Sequence, residues 1–219
     1  MSHAVDIIPK SESRRFERKL YQSYIKRILD VFLVLIALPA VLPVTLIIAL
    51  AIKRDGGPAF YSQARVGRNG EIFRMWKLRS MVVDAERKLD ELLDHDISAR
   101  MEWIETQKLK RDPRITPLGK LIRKTSLDEL PQLWNVLIGD MSLVGPRPFM
   151  PEQIDLYPGD DYYELRPGLT GFWQVHDRNG TSFAARAIFD ARYNAEVSFL
   201  TDVRVMLATL AVVARKTGY

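Results

Sequence analysis

Ser126-Leu127-Asp128-Glu129-Leu130-Pro131 sets two carboxylates side by side, ahead of an apolar run and just before a proline. Ser-x-x-Glu reads as a capping box, with Glu129 reaching back to the Ser126 amide. That register puts Pro131 at the fifth helical position, where it removes a genuine hydrogen bond. A helix that starts at about Asp128 keeps Pro131 among the amides that have no intrahelical partner. Both carboxylates then sit at a helix N-terminus, where the dipole favours their ionised form and free amides can receive phosphate oxygens. From these residues alone a structural cap and a catalytic pair are both open.

The surroundings are basic. Lys77 and Arg79 alternate on one face of an expected strand, and Arg114, Arg123 and Lys124 precede the acidic pair. Arg147 is held in Pro146-Arg147-Pro148, where two prolines keep the backbone extended, and Arg166 comes just before Pro167-Gly168. Each of these alone reads as a solvated surface charge. Several arginines in Gly- and Pro-rich loops beside an Asp-Glu pair read better as a phosphate site. Mg²⁺ suits such a site, because it binds through one or two carboxylates and substrate phosphates. No Walker loop, dinucleotide-binding glycine fingerprint or HExxH motif occurs, and His3, His95 and His176 are too scattered for a metal site. The chain has no cysteine, which excludes disulfides, thiolate zinc, iron–sulfur clusters and thiol nucleophiles.

Those groups need elements to hold them. The 219 residues allow one domain or slightly more, and 32 basic against 27 acidic side chains leave a charge of +5, which permits an anionic partner without naming one. Val31 to Ile52 runs for 22 residues without a charge. As a straight helix it reaches about 33 Å, enough for a bilayer. Basic residues flank both ends, so the asymmetry of a crossing helix is missing. Pro39 and Pro43 lie near its centre and divide it into arms Val31–Leu38 and Val44–Ile52. A helix that enters, bends and leaves on one side fits both facts, and a kinked crossing helix remains open.

Glu12–Ile25 reads as a basic helix along anionic headgroups, Ala59–Ser80 as a short hairpin turning at Gly67 and Gly70, and Val83–Lys110 as one long helical stretch. Short helices are expected over Pro117–Lys124 and Asp128–Ile138. A last helical stretch over Phe189–Lys216 carries Val203, Met206, Leu207, Leu210 and Val213 on one apolar stripe, for packing or for the membrane interface. The fold class is α+β, mostly helical.

Three motifs, WKLRSM (76–81), SLDELPQLWNVLIGDMSLVGPRP (126–148) and LRPGLTGFWQV (165–175), follow a basic and then apolar N-terminal segment. Together they resemble the bacterial sugar transferase family, the monotopic phosphoglycosyl transferases, over nearly everything from Tyr24 to Ala214. The likeness is to its short members that start exopolysaccharide repeat units. It implies a polar segment 1–23, a re-entrant helix-break-helix at 24–53, and a cytoplasmic catalytic domain at 54–219 on the bacterial inner membrane, with a hairpin and amphipathic interfacial helices. It implies transfer of a sugar 1-phosphate, galactose or glucose, from a UDP-sugar to undecaprenyl phosphate with release of UMP. Asp128 is then the nucleophile and, with Glu129, the Mg²⁺ site. Lys77, Arg79, Arg114, Arg123, Arg147 and Asp190 become substrate-binding residues, Asp190 by its place in the C-terminal motif. Small members break the membrane helix at Ser-Pro, whereas here the pairs are Leu38-Pro39 and Leu42-Pro43. The bilayer is an expected partner and a homodimer is allowed; nucleic acid is not expected. A lipid-binding adaptor and an exported, signal-anchored protein are the alternatives from other classes.

Overall fold

A computed structural model describes residues 18–106, 109, 111–176 and 182–214. The basic segment before Arg18, and Arg215 and Lys216 after the last helix, lie outside the described residues. A π-helical turn, Tyr21–Ile25, leads into helix α1, Lys26–Lys53. Strands β1, Phe60–Val66, and β2, Ile72–Leu78, form a two-stranded sheet around the turn at Gly67–Gly70, as the alternation predicts. Helices α2, Ala85–His95, and α3, Ile97–Thr106, come next, then α4, Pro117–Lys124, a 3-10 turn at Leu127–Glu129, and α5, Gln132–Ile138. The C-terminal part holds β3, Ser142–Val144, α6, Asp161–Glu164, β4, Gly168–Thr170, α7, Phe172–His176, α8, Arg186–Glu196, and α9, Phe199–Ala214. The chain is mostly helical, and its described residues divide into two compact units: one holds those up to Pro39, Ala64–Met75 and Gln132–Val212, the other Ala40–Gln63, Trp76–Pro131 and those from Val213.

Helix α1 leaves Phe32, Leu35, Ile36, Leu46, Ile47 and Leu50 exposed, a surface that water does not favour and lipid does. It is long and apolar enough to cross a membrane. The expected break between Leu38 and Val44 does not end the helix, which is continuous through both prolines. A proline deletes only its own amide hydrogen bond and clashes with one carbonyl, so a helix can bend there and stay helical on both sides. The Thr45 hydroxyl donates to the Val41 carbonyl at 2.9 Å, one turn back, and not to the Leu35 and Pro39 carbonyls that the prolines leave without a donor.

In the second unit, Ala49, Ile52, Ala59, Leu78 and Ile122 form a core with Leu118 and Leu127 against it. Thr116 caps α4 by accepting from the Gly119 amide at 2.9 Å, and Pro117 occupies the first helical position. Gly119 is required there, because a Cβ would collide with the Ser80 carbonyl.

In the first unit, β3 and β4 pair in parallel, Ser142 opposite Gly168 and Val144 opposite Thr170. Tyr21, Val144, Leu165, Phe172, Tyr193, Val197 and Val205 form one core cluster. The opening turns of α1 are held by buried polar contacts: Lys26 pairs with Asp202 at 2.6 Å, and Asp30 accepts from the Ser142 hydroxyl at 2.7 Å. Tyr21 and Tyr193 donate to the same Asp202 carboxylate at 2.7 and 2.6 Å. A buried pair with its remaining lone pairs satisfied specifies one docking of the helix more than it adds stability.

Three expected elements are corrected. Val83–Lys110 is not one helix: Asp96 leaves the helical region at φ −124°, and its carboxylate accepts from the Ala99 amide at 3.0 Å, capping a new helix. Phe189–Lys216 is likewise two helices, separated at Val197 with φ −55° and ψ 120°. On α9 the packed side is Thr201, Asp202 and Val205, whereas Leu207 and Leu210 of the expected stripe are exposed. The third correction is the helix after the acidic pair, which begins at Gln132 and not at Asp128.

Candidate active site

Asp128 and Glu129 stand on the 3-10 turn Leu127–Glu129, entered through Ser126 in the left-handed conformation, φ 56° and ψ 18°. A non-glycine residue there costs about 1–2 kcal/mol and persists only where its surroundings hold it. Here Ser126 donates its amide to the Arg123 carbonyl at 3.1 Å and accepts from the Glu129 amide at 3.2 Å. Its side chain makes no cap hydrogen bond, so the capping box is not formed. The turn tightens before Pro131, and α5 starts after the proline, where the missing amide removes nothing.

Lys77 comes from β2, with its ammonium 2.8 Å from Glu129 and 3.9 Å from Asp128. Asp128 is 7% exposed. Burial pushes its carboxyl above the ordinary range; Lys77 and Arg123 pull it back and Glu129 adds to the rise. Arg123 lies on α4, its Nε donating to the Ser80 hydroxyl at 2.8 Å, and burial lowers its own pKa against the pull of Asp128 and Asp112. Lys77, Arg123, Asp128 and Glu129 thus form one cluster: a poorly solvated carboxylate with cations beside it and a second carboxylate next to it.

The other expected cations in this unit are engaged in holding loops. Arg79 donates from Nε to the Pro58 carbonyl at 2.6 Å and grips Asp55 through both terminal nitrogens, at 2.9 and 2.5 Å. Arg114 chelates Asp112 at 2.9 and 2.7 Å and lies over the Trp103 ring at 5.2 Å. Arg147 and Asp190 belong to the other unit. Arg147 lies 5.9 Å from the centre of the Trp173 ring, between buried Pro146 and Pro148. Asp190, on α8, accepts from the Tyr157 hydroxyl at 2.6 Å, and burial pushes it up to about 7. Arg186 beside it was not singled out from the sequence, because nothing in SFAARAIF distinguishes it from any surface arginine.

Among the described residues no group of three His, Asp or Glu stands together, so a cage built wholly of protein ligands is absent there. Two adjacent hard carboxylates still fit Mg²⁺, which takes its remaining oxygens from phosphates and water.

Residues 21–216 match the bacterial sugar transferase family. A UDP-galactose-lipid carrier transferase of Erwinia amylovora is 45% identical over 219 residues, 99% of this chain and 45% of that protein. An undecaprenyl-phosphate galactose phosphotransferase of Salmonella typhimurium is 46% identical over 197 residues, covering 89% of this chain and 41% of its own length. This chain thus spans less than half of either. The exopolysaccharide production protein ExoY of Sinorhizobium fredii is 41% identical over 196 residues, 88% of this chain and 87% of that protein.

Proposed function

The chain belongs to the bacterial sugar transferase family, and from that premise we propose that it moves a sugar 1-phosphate from a UDP-sugar to undecaprenyl phosphate, releasing UMP. Galactose is the favoured sugar, since two relatives carry it in their names. The observation that carries the reading is the buried Asp128 carboxylate beside Lys77 and Glu129. A cap reading, which the adaptor alternative needs, is not supported: the Ser126 side chain makes no cap hydrogen bond, and the helix starts at Gln132, three residues beyond Glu129.

Asp128 attacks the sugar-bearing phosphorus. The bond from that phosphorus to the bridging oxygen breaks, and UMP leaves with the electron pair. An oxygen of the lipid phosphate then attacks the same phosphorus and displaces the Asp128 carboxylate, forming the polyprenyl diphosphate sugar. Two half-reactions replace one transfer between bulky substrates. Burial leaves the carboxylate weakly hydrated and therefore ready to attack once ionised, while Lys77 and Arg123 favour its ionised form. Mg²⁺ held by Asp128 and Glu129 would supply neutralisation of the diphosphate charge. Arg147 contacts phosphate or the uridine side; Arg79 and Arg114 act by holding the loops they pair with.

The exposed apolar α1 supports contact with a membrane; the basic residues on both flanks of its apolar run favour re-entry over crossing, with the catalytic residues on the cytoplasmic face of the inner membrane. Single cysteines at position 2 and at exposed position 98 should both be labelled from the cytoplasmic side, position 142 being buried. Pro39 and Pro43 replaced together by leucine should send part of the population across the bilayer, with activity falling in proportion. The decisive assay is intact-protein mass spectrometry with UDP-galactose or UDP-glucose and no acceptor. A sugar-phosphate adduct is expected, and one that persists in Asp128→Asn refutes the assignment.

A further inference from the structure

Ser80 follows the last residue of β2 by two positions and is buried. Its main chain and its side chain have separate tasks. The carbonyl accepts from the Thr116 amide at 3.1 Å and from the Thr116 hydroxyl at 3.4 Å, and a Cβ on Gly119 would collide with it. Those contacts fix the start of α4 against the end of β2, and any residue at position 80 would supply them. The hydroxyl does something else. It accepts from Arg123 Nε at 2.8 Å, in the last turn of α4, and among the described residues it is the one hydrogen-bond acceptor of the Arg123 side chain. A guanidinium on a long flexible stem gives up much rotamer freedom when it is held, so this single charge-assisted bond decides where the cation stays.

Two carboxylates, Asp128 and Asp112, attract that guanidinium. Asp112 is already engaged: Arg114 donates to its two oxygens at 2.9 and 2.7 Å, and the Arg114 amide adds a third bond at 3.0 Å. Asp128 stands on the turn that Arg123 itself helps to hold, because the Arg123 carbonyl accepts from the Ser126 amide at 3.1 Å. Main chain and side chain of Arg123 therefore both bear on the acidic turn. Ser80 anchors the side chain from the same segment that delivers Lys77 to Glu129, three residues earlier.

We propose that Ser80 is a positioning residue, whose hydroxyl holds the Arg123 guanidinium at the Asp128–Glu129 turn so that a cation stands beside the nucleophile during attack on phosphorus. The proposal rests on the transferase reading above. Ser80 touches no reacting atom and acts through Arg123 alone. A serine suits the place because its hydroxyl is small and can accept. Alanine keeps every main-chain contact of position 80 and leaves the half-buried Arg123 Nε–H without its acceptor.

Two measurements on the full chain in nanodiscs test this. The first follows exchange of the arginine Nε–H protons with solvent by NMR on protein carrying isotope-labelled arginine, the Arg123 signal being the one that disappears in Arg123→Lys. Ser80→Ala should speed that exchange by roughly tenfold or more, as for loss of one charge-assisted bond, and Ser80→Thr, which keeps the hydroxyl, by less. Exchange within twofold of the parent in Ser80→Ala, or equally fast in Ser80→Thr and Ser80→Ala, overturns the proposal. The second is a double-mutant cycle read by UMP release from UDP-galactose or UDP-glucose with undecaprenyl phosphate. Ser80→Ala should lower the rate roughly tenfold in the parent but less than twofold in an Arg123→Ala background, where nothing is left to position. No loss in the parent, or a loss of similar size in both backgrounds, overturns the proposal and leaves Ser80 a residue of the fold only. If Ser80→Ala does not fold, Ser80→Cys, nearly the same in shape but a weak acceptor, replaces it in both measurements under the same criteria. A parent that releases no UMP breaks the transferase reading by itself, and the exchange measurement still decides whether Ser80 holds Arg123.

Discussion

Two buried aspartates, one in each compact unit, have the same residue type and nearly the same burial yet opposite prospects. Asp128 is 7% exposed and Asp190 5%. Burial raises both, but Asp190 rises to about 7, with a tyrosine hydroxyl 2.6 Å from its oxygen. Asp128 instead faces an ammonium at 3.9 Å, beyond hydrogen-bond reach, with Glu129 between them in charge and Arg123 adding a second positive potential. A hydrogen-bonded, partly protonated carboxyl fixes the rings and helix around it. Under the proposed reaction, a buried carboxylate whose ionised form is favoured by Lys77 and Arg123, with no tyrosine hydroxyl on its oxygens, is the one suited to attack phosphorus. Burial alone therefore does not mark a nucleophile; what distinguishes it is which atoms touch the oxygens.

The sharpest way to break that contrast is to neutralise each acid in turn. Asp128→Asn should lower transfer by about a thousandfold or more and abolish the covalent adduct, whereas Asp190→Asn should keep adduct formation within about tenfold of the parent. Equal losses in a UMP-release assay would erase the distinction between them.

Lys77→Ala removes a cation that stabilises the ionised form of Asp128. Activity should fall roughly tenfold to a hundredfold, as for one charge-assisted contact. The acid limb of the rate profile should also move to higher pH, because losing a group that lowers the Asp128 pKa lets it rise. A lowered rate with an unmoved limb would make Lys77 a substrate ligand instead of a tuning group. In the other unit, Arg147→Ala should lower activity by a similar tenfold to hundredfold, read as a raised KM for the nucleotide sugar.

The smallest expected effect is on stability. Asp190 has a folded-state pKa of about 7 against an ordinary 3.8, so the native state holds its proton more tightly than the unfolded chain. Its contribution is complete below about 3.8 and is lost as pH rises through about 7. Asp190→Asn should flatten the dependence of Tm on pH across that window, and an unchanged slope would mean that Asp190 is ionised in the folded protein.

Much of the local architecture was legible. Thr116 and Pro117 announce the start of α4, Gly67 and Gly70 the hairpin turn, and the 22 uncharged residues from Val31 the apolar helix. The adjacency of Asp128 and Glu129 was legible too; that Lys77 of β2 stands against them was not, because its sequence position marks it only as a cation on a strand face. The left-handed Ser126 was not, since serine rarely adopts that conformation and the strain is held by the Arg123 carbonyl and the Glu129 amide around it. Asp96 in a charged helical pattern reads as one more solvated acid until its carboxylate is seen to cap a helix.

By itself the sequence determined what depends on short range: helix starts, turn residues, the apolar run, the acidic pair and the motif order that carries the family. Tertiary structure decided which charges are available. Arg79 meets Asp55 from 24 positions away, Arg123 meets Ser80 from 43, and Tyr157 meets Asp190 from 33. It also paired the three-residue strands β3 and β4, too short for their alternation to register. The physical reason is the same in each case: an arginine or a carboxylate is a long-range partner looking for opposite charge, and a linear chain does not say which one it will reach.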